Sequence, residues 1–184
     1  ELQRTKYDAV LLYGDTNSTL AGAVAAAKLH VPVAHVEAGL RSFNKAMPEE
    51  INRIVCDHCS TWLFCPTITA VDNLRREGFS VESKERPSVD HPRVGVCGDV
   101  MYDNSMHFAE LAARTSIVVK DHGLTENGFL LVTVHRDHNT DDLVRLNAIF
   151  SALLDLHRSH GLPVVLPLHP RTRKMMESLL AAEV

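Results

Sequence analysis

Short apolar segments alternate with longer segments of helical character along almost the whole chain, and this alternation limits the fold more than any other feature. The apolar segments are YDAVLLYG, VPVAHVEAG, WLFCPT, RVGVCGDVMYD, GFLLVTVHRD and LPVVLPLHP. Each has the length and composition of a buried strand, and a helical segment follows each of them. Because strands that alternate with helices build βαβ units, the sequence predicts an α/β fold of parallel sheets with helices on both faces.

Turn and capping residues predict where several helices begin and end. Asn17 or Ser18 is the expected N-cap of the first helix, because both side chains can accept a hydrogen bond from the first turn. A helix is expected over about 104–114. The long helix that follows the fifth strand is expected to have Thr140 or Asp141 near its cap.

The domain boundary is expected in the helical region between residues 105 and 125. We assign residues 1–112 to the latter part of one Rossmann-like domain and residues 113–184 to the beginning of a second. Each part holds only two or three βα units, fewer than an open doubly wound sheet usually contains. Further units are therefore expected on both sides of the chain.

Charge and motif content exclude several classes of function. The 184 residues carry a formal charge of −4 and a pI of about 6.3, which gives no general attraction to nucleic acid. No run of about 18 apolar residues is present, so no segment is expected to cross a membrane. The chain also lacks the Gly-x-Gly-x-x-Gly turn and the Walker loop, which argues against nicotinamide and P-loop chemistry.

Three of the four cysteines lie within ten residues, at positions 56, 59 and 65. The spacing C-D-H-C permits a zinc site, with Cys65 or His58 as a further ligand. A second paired CxxC is absent, and a helix is predicted over these residues, which favours buried and reduced thiols. We therefore expect a cytoplasmic protein without a structural metal.

Polar residues follow four of the predicted strands at the point where each strand ends. In open α/β sheets, ligands bind outside the carboxyl ends of the strands. A single His at a strand end is commonly structural, but polar groups from four strands at one edge indicate a site. These residues are Asp15, His35, Glu37, His135, Arg136 and His169.

Three carboxylates belong to the connections after the first two strands. Asp15 and Glu37 come at the strand ends, and Pro48 is placed to open a helix whose first turn carries Glu49. Carboxylates that share a site can supply both the base and the acid of a proton-transfer reaction. The sequence therefore predicts acid–base chemistry at this edge.

Cations in the same region can balance an anionic ligand. Arg41, Arg53 and His135 are the candidates. Glu49 and Arg53 lie four residues apart on the predicted helix, so a simple pairing between them is the alternative for Arg53. Glu50 faces another side of that helix and is assigned a structural role.

Six motifs resemble a known family, the non-hydrolysing UDP-N-acetylglucosamine 2-epimerases: GDTNSTLAGAVAA, PVAHVEAGLRS, MPEEINR, VGVCGDVMYD, LLVTVHRDHN and LPLHP. They occur in the family's order across nearly the whole chain. The resemblance implies a GT-B-like architecture, with the nucleotide sugar between two Rossmann-like domains. It also implies reversible inversion at C2 of UDP-GlcNAc to give UDP-ManNAc, by elimination of UDP to 2-acetamidoglucal and re-addition. No cofactor is implied, and a homodimer is the family's habit.

The resemblance also implies roles for individual residues. Asp15, Glu37 and Glu49 match the acid–base carboxylates, and His135 matches the His that faces the diphosphate. The chain lacks the family's early Arg-bearing phosphate loop and its later GGxQEE-type segment, and it carries His138 where members commonly have Glu. Arg53 and His169 match positions near the substrate or the family's regulatory second-sugar site. Together with Arg41 and Arg136, which the residue pattern alone suggests, they are the residues expected to bind the substrate.

Three other functions stay open at this stage. A hydrolysing relative would release free ManNAc and UDP, so UDP-sugar would be lost irreversibly. A non-catalytic remnant would bind a sugar nucleotide or a partner, and Asp15→Asn would leave that binding intact. A generic GT-B glycosyltransferase would use a separate acceptor, but it gives no reason for three clustered carboxylates.

Overall fold

The computed structural model describes residues 2–134, 137–168, 170, 172–173 and 176. The chain divides into two compact units, Glu1–Glu110 and Leu111–Val184. Each unit contains a parallel sheet, four-stranded in the first and two-stranded in the second. This is the α/β class with parallel sheets that the alternation of strands and helices predicts.

The first unit is a parallel sheet whose strands follow one another in chain order. Its strands are β1 (Val10–Tyr13), β2 (Val33–Val36), β3 (Trp62–Cys65) and β4 (Arg93–Val96). The connecting helices are α1 (Asn17–Lys28), α2 (Pro48–His58) and α3 (Ile68–Arg76). Because right-handed crossovers between sequential strands put their helices on one side of the sheet, these three helices share a face.

That shared face holds the core of the first unit. Leu12, His35 and Leu63 are in register across β1, β2 and β3, so they point to the same side. Leu63 belongs to a fully buried cluster with Ala70 and Leu74 of α3. On the opposite face of β1, Leu11 is 52% exposed. The described helices therefore bury one face of this sheet.

Capping explains where the helices of the first unit begin. The predicted N-caps of α1, Asn17 and Ser18, both lie inside the helix, because Thr16 is the N-cap and its side chain accepts from the Thr19 amide. Pro48 begins α2, as predicted, since its missing N–H would have no partner in the first turn. Five polar residues in succession, at positions 15–19, could each cap a helix, and the fold determines that Thr16 does so.

In the cysteine-rich segment, Cys56 and Cys65 pack as apolar side chains in the buried core. Cys56 and Cys65 are fully buried, and all four cysteines are free thiols. Burial raises the pKa of Cys56 and of Cys65 to about 12, so both thiols stay protonated at neutral pH. Within the described part of the chain, no group of three or more His, Cys, Asp and Glu side chains could hold a metal ion.

The boundary between the units falls inside α4 (Val100–Thr115). The predicted helix over 104–114 thus begins earlier, because the chain turns helical directly after Gly98 and Asp99. The long helix Leu143–His160 has Asp142 as its N-cap, whose side chain accepts from the amides of residues 144 and 145, so the predicted caps Thr140 and Asp141 lie just before that residue. The second unit contains α5 (Val118–Asp121), β5 (Leu130–Leu131), α6 (Asp137–Thr140), α7 (Leu143–His160) and β6 (Val164–Val165).

Among the described residues, none of the helices combines enough length with enough apolar character to cross a membrane.

Candidate functional site

Two carboxylates meet at the carboxyl edge of the first sheet. Asp15 lies just beyond β1, and Glu37 comes directly after β2. Because these are neighbouring parallel strands, both side chains leave the sheet at the same edge. Arg53 of α2 joins them, since its Nη2 lies 2.8 Å from Asp15 Oδ2 and 3.4 Å from Glu37 Oε2. We call Asp15, Glu37 and Arg53 the edge triad.

The edge triad is partly buried but open to a ligand. The side chains of Asp15 and Glu37 are 27% and 25% exposed, and that of Arg53 is 12% exposed. Arg53 Nε is buried and has no hydrogen-bond partner among the described residues. The guanidinium therefore keeps one N–H donor that neither carboxylate uses.

Glu49 is not a member of the edge triad. It lies in the first turn of α2 and is partly exposed. The described ion pairs of Arg53 go to Asp15 and Glu37, so the pairing with Glu49 that helical spacing favours is not formed. Arg53 lies at the sheet edge because two carboxylates there attract it more strongly than the single Glu49 carboxylate on its own helix.

The backbone at this edge is in the left-handed region at two positions. Gly14 has a φ of +65° and Glu37 a φ of +71°. For Gly14 this conformation is free of strain, and a Cβ there would lie 3.6 Å from Glu37 Oε2. For Glu37 it costs about 1–2 kcal/mol. Strain of this kind persists only where surrounding contacts fix the backbone, and it is concentrated at functional sites.

The backbone around Asp15 is held by side chains from three different elements. The successive carbonyl groups of residues 13–15 each accept one hydrogen bond of 2.8 Å. The donors are Thr19 Oγ1 of α1, His35 Nε2 of β2 and Asn52 Nδ2 of α2. All three side chains are buried, so the turn is held by donors from the interior of the first unit.

His35 has a structural position, although it ends a strand as a site residue would. It is fully buried, and its Nδ1 lies 2.7 Å from Asp57 Oδ1. The other oxygen of Asp57 accepts from the Gly39 amide at 3.1 Å. His35 therefore faces the interior, where a ligand at the edge does not reach it.

Arg41, which the sequence places among the expected substrate-binding residues, is buried and paired in the structure. Its side chain is only 1% exposed. Nη1 lies 2.8 Å from Asp57 Oδ2, and Nε and Nη2 each donate to Glu77 at 2.7 Å. Although burial alone favours the neutral guanidine, the bonds to Glu77 and Asp57 raise the pKa of Arg41 above its ordinary value. Arg41 fastens the loop after β2 to α2 and to the C-cap of α3, and its role in substrate binding stays a prediction.

Three of the residues assigned from the sequence cannot be placed. His135, Arg136 and His169 lie outside the described residues. Their assignment, as the His facing the diphosphate and as two substrate-binding residues, stays a prediction from the resemblance.

Glu50 has the structural role expected for it. It is 3% exposed and accepts hydrogen bonds from the Ser42 amide, the Ser42 hydroxyl and the Phe43 amide, at 2.8, 3.0 and 3.0 Å. Burial raises the pKa of this carboxyl, but the bonds from Ser42 and Phe43 and the charge of Arg41 outweigh that effect and lower it overall. Glu50 therefore fixes the loop that precedes α2.

We expect Glu50→Gln to destabilise the fold near neutral pH by about 1–3 kcal/mol, because a neutral amide replaces a carboxylate that accepts three hydrogen bonds. The pKa of Glu50 is lower in the folded state than its ordinary value of 4.5, so the charge stabilises the fold above that value. This contribution is lost as the pH falls through the lower, folded-state pKa. Urea unfolding at several pH values would show the deficit of Glu50→Gln shrinking below 4.5. Glu49→Gln, without these bonds, serves as the control, and an equal deficit in both variants would contradict the prediction.

Sequence reasoning missed two buried residues of α2 that support the edge triad, Asn52 and Asp57. Asn52 directly precedes Arg53 and donates to the Asp15 carbonyl. Asp57 stands between two cysteines, which directed attention to metal binding. The available signal was the helical spacing, since Arg53 and Asp57 are four residues apart and follow the face that Glu49 begins.

Comparisons with known proteins give the family of this chain. A family model described as UDP-N-acetylglucosamine 2-epimerase matches residues 1–183. This chain belongs to that family. The resemblance of the six motifs is thereby confirmed.

Relatives of this 2-epimerase family chain come from bacteria and archaea. It is 55% identical over 171 residues to a UDP-2,3-diacetamido-2,3-dideoxy-D-glucuronate 2-epimerase of Pseudomonas aeruginosa, covering 92% of this chain and 44% of the relative. It is 42% identical over 177 residues to a UDP-N-acetylglucosamine 2-epimerase homolog of Methanococcus maripaludis, covering 96% and 45%. The chain thus spans about half the length of the curated relatives it matches.

Solved structures support the same conclusion for the fold. The crystal structure of Methanocaldococcus jannaschii UDP-GlcNAc 2-epimerase in complex with UDP-GlcNAc and UDP matches with a TM-score of 0.79 and 36% identity. The match covers 97% of this chain and 46% of that one. The expected fold class, parallel α/β portions of a GT-B-type architecture, is confirmed by this neighbour.

Proposed function

We propose that the protein carrying this sequence is a non-hydrolysing UDP-sugar 2-epimerase that interconverts UDP-GlcNAc and UDP-ManNAc. The observation that supports it best is the edge triad, in which two carboxylates from neighbouring strands share one arginine. Inversion at C2 requires that a proton leave one face of the sugar and that another arrive on the opposite face. Two separate carboxyl groups at one open edge meet that requirement.

The proposed reaction passes through elimination and re-addition. One carboxylate takes the C2 proton, the bond between C1 and the UDP oxygen breaks, and a C1–C2 double bond forms in 2-acetamidoglucal. UDP then adds back to C1 while a carboxyl group on the other face returns a proton to C2. Asp15 and Glu37 are the proposed acid–base groups, and Glu49, His135, Arg136 and His169 keep the roles predicted from the sequence.

Arg53 has two tasks in this proposal. It holds the Asp15 and Glu37 side chains beside each other through the contacts at 2.8 and 3.4 Å. Its unused Nε–H points to a second interaction, with an oxygen of the substrate, once the side chain shifts. An arginine between two carboxylates also lessens their mutual repulsion, which lets both stay close to the sugar.

The identity of the sugar has a second candidate. The Pseudomonas aeruginosa relative, named for a diacetamido glucuronate substrate, is 55% identical, whereas the M. jannaschii enzyme that binds UDP-GlcNAc is 36% identical. Both sugars carry an acetamido group at C2 and UDP at C1, so the chemistry at C2 is the same. UDP-2,3-diacetamido-2,3-dideoxy-glucuronate is therefore the alternative substrate.

Proton NMR in D₂O with each UDP-sugar would test the proposal, using the protein that carries this sequence and the 184-residue chain beside it. We expect the C2 epimer to form with deuterium at C2 and no free sugar. Release of ManNAc and UDP would instead assign the protein to the hydrolysing branch. Binding of UDP-sugar without C2 exchange would favour the non-catalytic remnant. Faster turnover of the uronate sugar would make it the substrate.

A further inference from the structure

Asp57 connects to both carboxylates of the edge triad from inside the fold. We infer that Asp57 is the residue that positions Asp15 and Glu37, and this inference rests on the proposed function of that site. Asp57 lies near the end of α2 and is fully buried. Its carboxylate makes three contacts, with His35 Nδ1 at 2.7 Å, Arg41 Nη1 at 2.8 Å and the Gly39 amide at 3.1 Å.

Asp57 acts on Glu37 through the residues on either side of it. Oδ1 binds His35, two positions before Glu37, and Oδ2 binds the Gly39 amide, two positions after it. One carboxylate therefore fixes both ends of a five-residue segment whose central residue has a φ of +71°. A left-handed Glu is unfavourable by itself, so contacts of this kind are what maintain it. In the absence of Asp57, Glu37 can relax toward an ordinary conformation and away from Asp15.

Asp57 acts on Asp15 through the His35 ring. His35 Nδ1 contacts Asp57, and Nε2 lies 2.8 Å from the Gly14 carbonyl oxygen, directly before Asp15. A carbonyl oxygen only accepts, so Nε2 must donate to it. Nδ1, on the other side of the ring, lies 2.7 Å from Asp57 Oδ1, the oxygen that neither Arg41 nor the Gly39 amide contacts. The ring thus transmits the position of Asp57 to the turn that carries Asp15.

Asp57 contacts the Glu37 segment directly, but it reaches the Asp15 turn only through the His35 ring. The two carboxylates should therefore respond differently to the loss of Asp57. The turn at residues 13–15 keeps two other side-chain donors, Thr19 and Asn52, if the His35 contact weakens. Asp57 contacts the Glu37 segment directly, at His35 and at the Gly39 amide, beside the bonds that the Ala38 amide makes to Phe64 and the Gly39 carbonyl makes to Asn73. Loss of the Asp57 charge should therefore displace Glu37 more than Asp15.

Asp57→Asn tests this inference, because it removes the charge and one acceptor while keeping the shape. We expect kcat to fall by about 100-fold, the usual effect of misplacing a catalytic group by about 1 Å. We expect KM to change by less than about threefold, because Asp57 does not touch the substrate. Leu63→Ala, in the same buried core, is the control: it weakens packing but should leave kcat per folded molecule close to the wild type. Equal effects of both variants on kcat would overturn the inference.

Amide NMR of the chain supplies a measurement that does not depend on activity. In Asp57→Asn the amide shifts of residues 36–39 should change most, and those of residues 14–16 should change less. Unchanged shifts at 36–39 would overturn the inference even in an active enzyme. A wild type without epimerase activity would refute the proposed function alone. If Asp57→Asn does not fold, His35→Gln tests the link between Asp57 and the Asp15 turn. It should change the amide chemical shifts of residues 14–16, and unchanged shifts there would overturn the role of His35 in that link.

Discussion

Glu37→Gln is expected to lower the rate of epimerisation by about 10²–10⁴-fold, the range observed when a general acid or base is removed. The amide keeps the shape of the side chain but cannot take a proton from C2 or return one. The fold should survive, because Glu37 is partly exposed and its contact with Arg53 is 3.4 Å long. Asp15→Asn is expected to act in the same way. Turnover measured with saturating UDP-sugar, together with urea unfolding, checks both parts.

The backbone strain at Glu37 separates chemistry from stability in the same experiment. Glu37→Gly and Glu37→Ala both lack the carboxyl group, so both should be inactive. The glycine variant should unfold at a higher urea concentration, because only glycine adopts a φ of +71° without cost, a difference of about 1–2 kcal/mol. Activity above a tenth of wild type in Glu37→Gln would remove Glu37 from the mechanism. A glycine variant no more stable than the alanine variant would show that the strain is absent.

Sequence could predict the part of the site that follows from topology. Parallel strands deliver their carboxyl ends to one edge, so recognising β1 and β2 was enough to bring Asp15 and Glu37 together. Arg53 was a candidate from its charge and from the family motif. The sequence could not predict that Arg53 pairs with Asp15 and Glu37 instead of with Glu49. Helical spacing permits the pairing with Glu49, and only the packing of α2 against the sheet decides between the partners.

The interior support of the site was beyond sequence reasoning for a different reason. Arg41 binds Asp57 and Glu77, which are 16 and 36 positions away along the chain. A cation shortly after a strand-end carboxylate has the same local pattern whether it meets a ligand or a buried acid. The distinction depends on how α2 and α3 lie against β2, which is long-range information. The same limit applies to His35, whose partner Asp57 is 22 positions away.

Gly39→Ala is expected to destabilise the first unit by about 2–5 kcal/mol, one of the largest effects available to a single methyl group. Gly39 has a φ of +75°, and a Cβ there would clash with the Ala70 carbonyl oxygen and lie 2.9 Å from its carbon. Ala70 belongs to the backbone of α3 and to the buried core, so it cannot move aside cheaply. Chemical unfolding of the wild type and the variant measures the loss.

Gly78→Ala is the matched control for this substitution. Gly78 also has a positive φ, of +95°, but nothing lies within 4 Å of its added Cβ, so only the left-handed strain of about 1–2 kcal/mol remains. The difference between the two variants isolates the contact with Ala70. The Gly39 peptide is also fixed on both sides, since its amide donates to Asp57 and its carbonyl accepts from Asn73 at 3.0 Å. The Gly39 peptide therefore cannot move away from the added methyl group without moving the segment that carries Glu37. Equal destabilisation in Gly39→Ala and Gly78→Ala would refute this account.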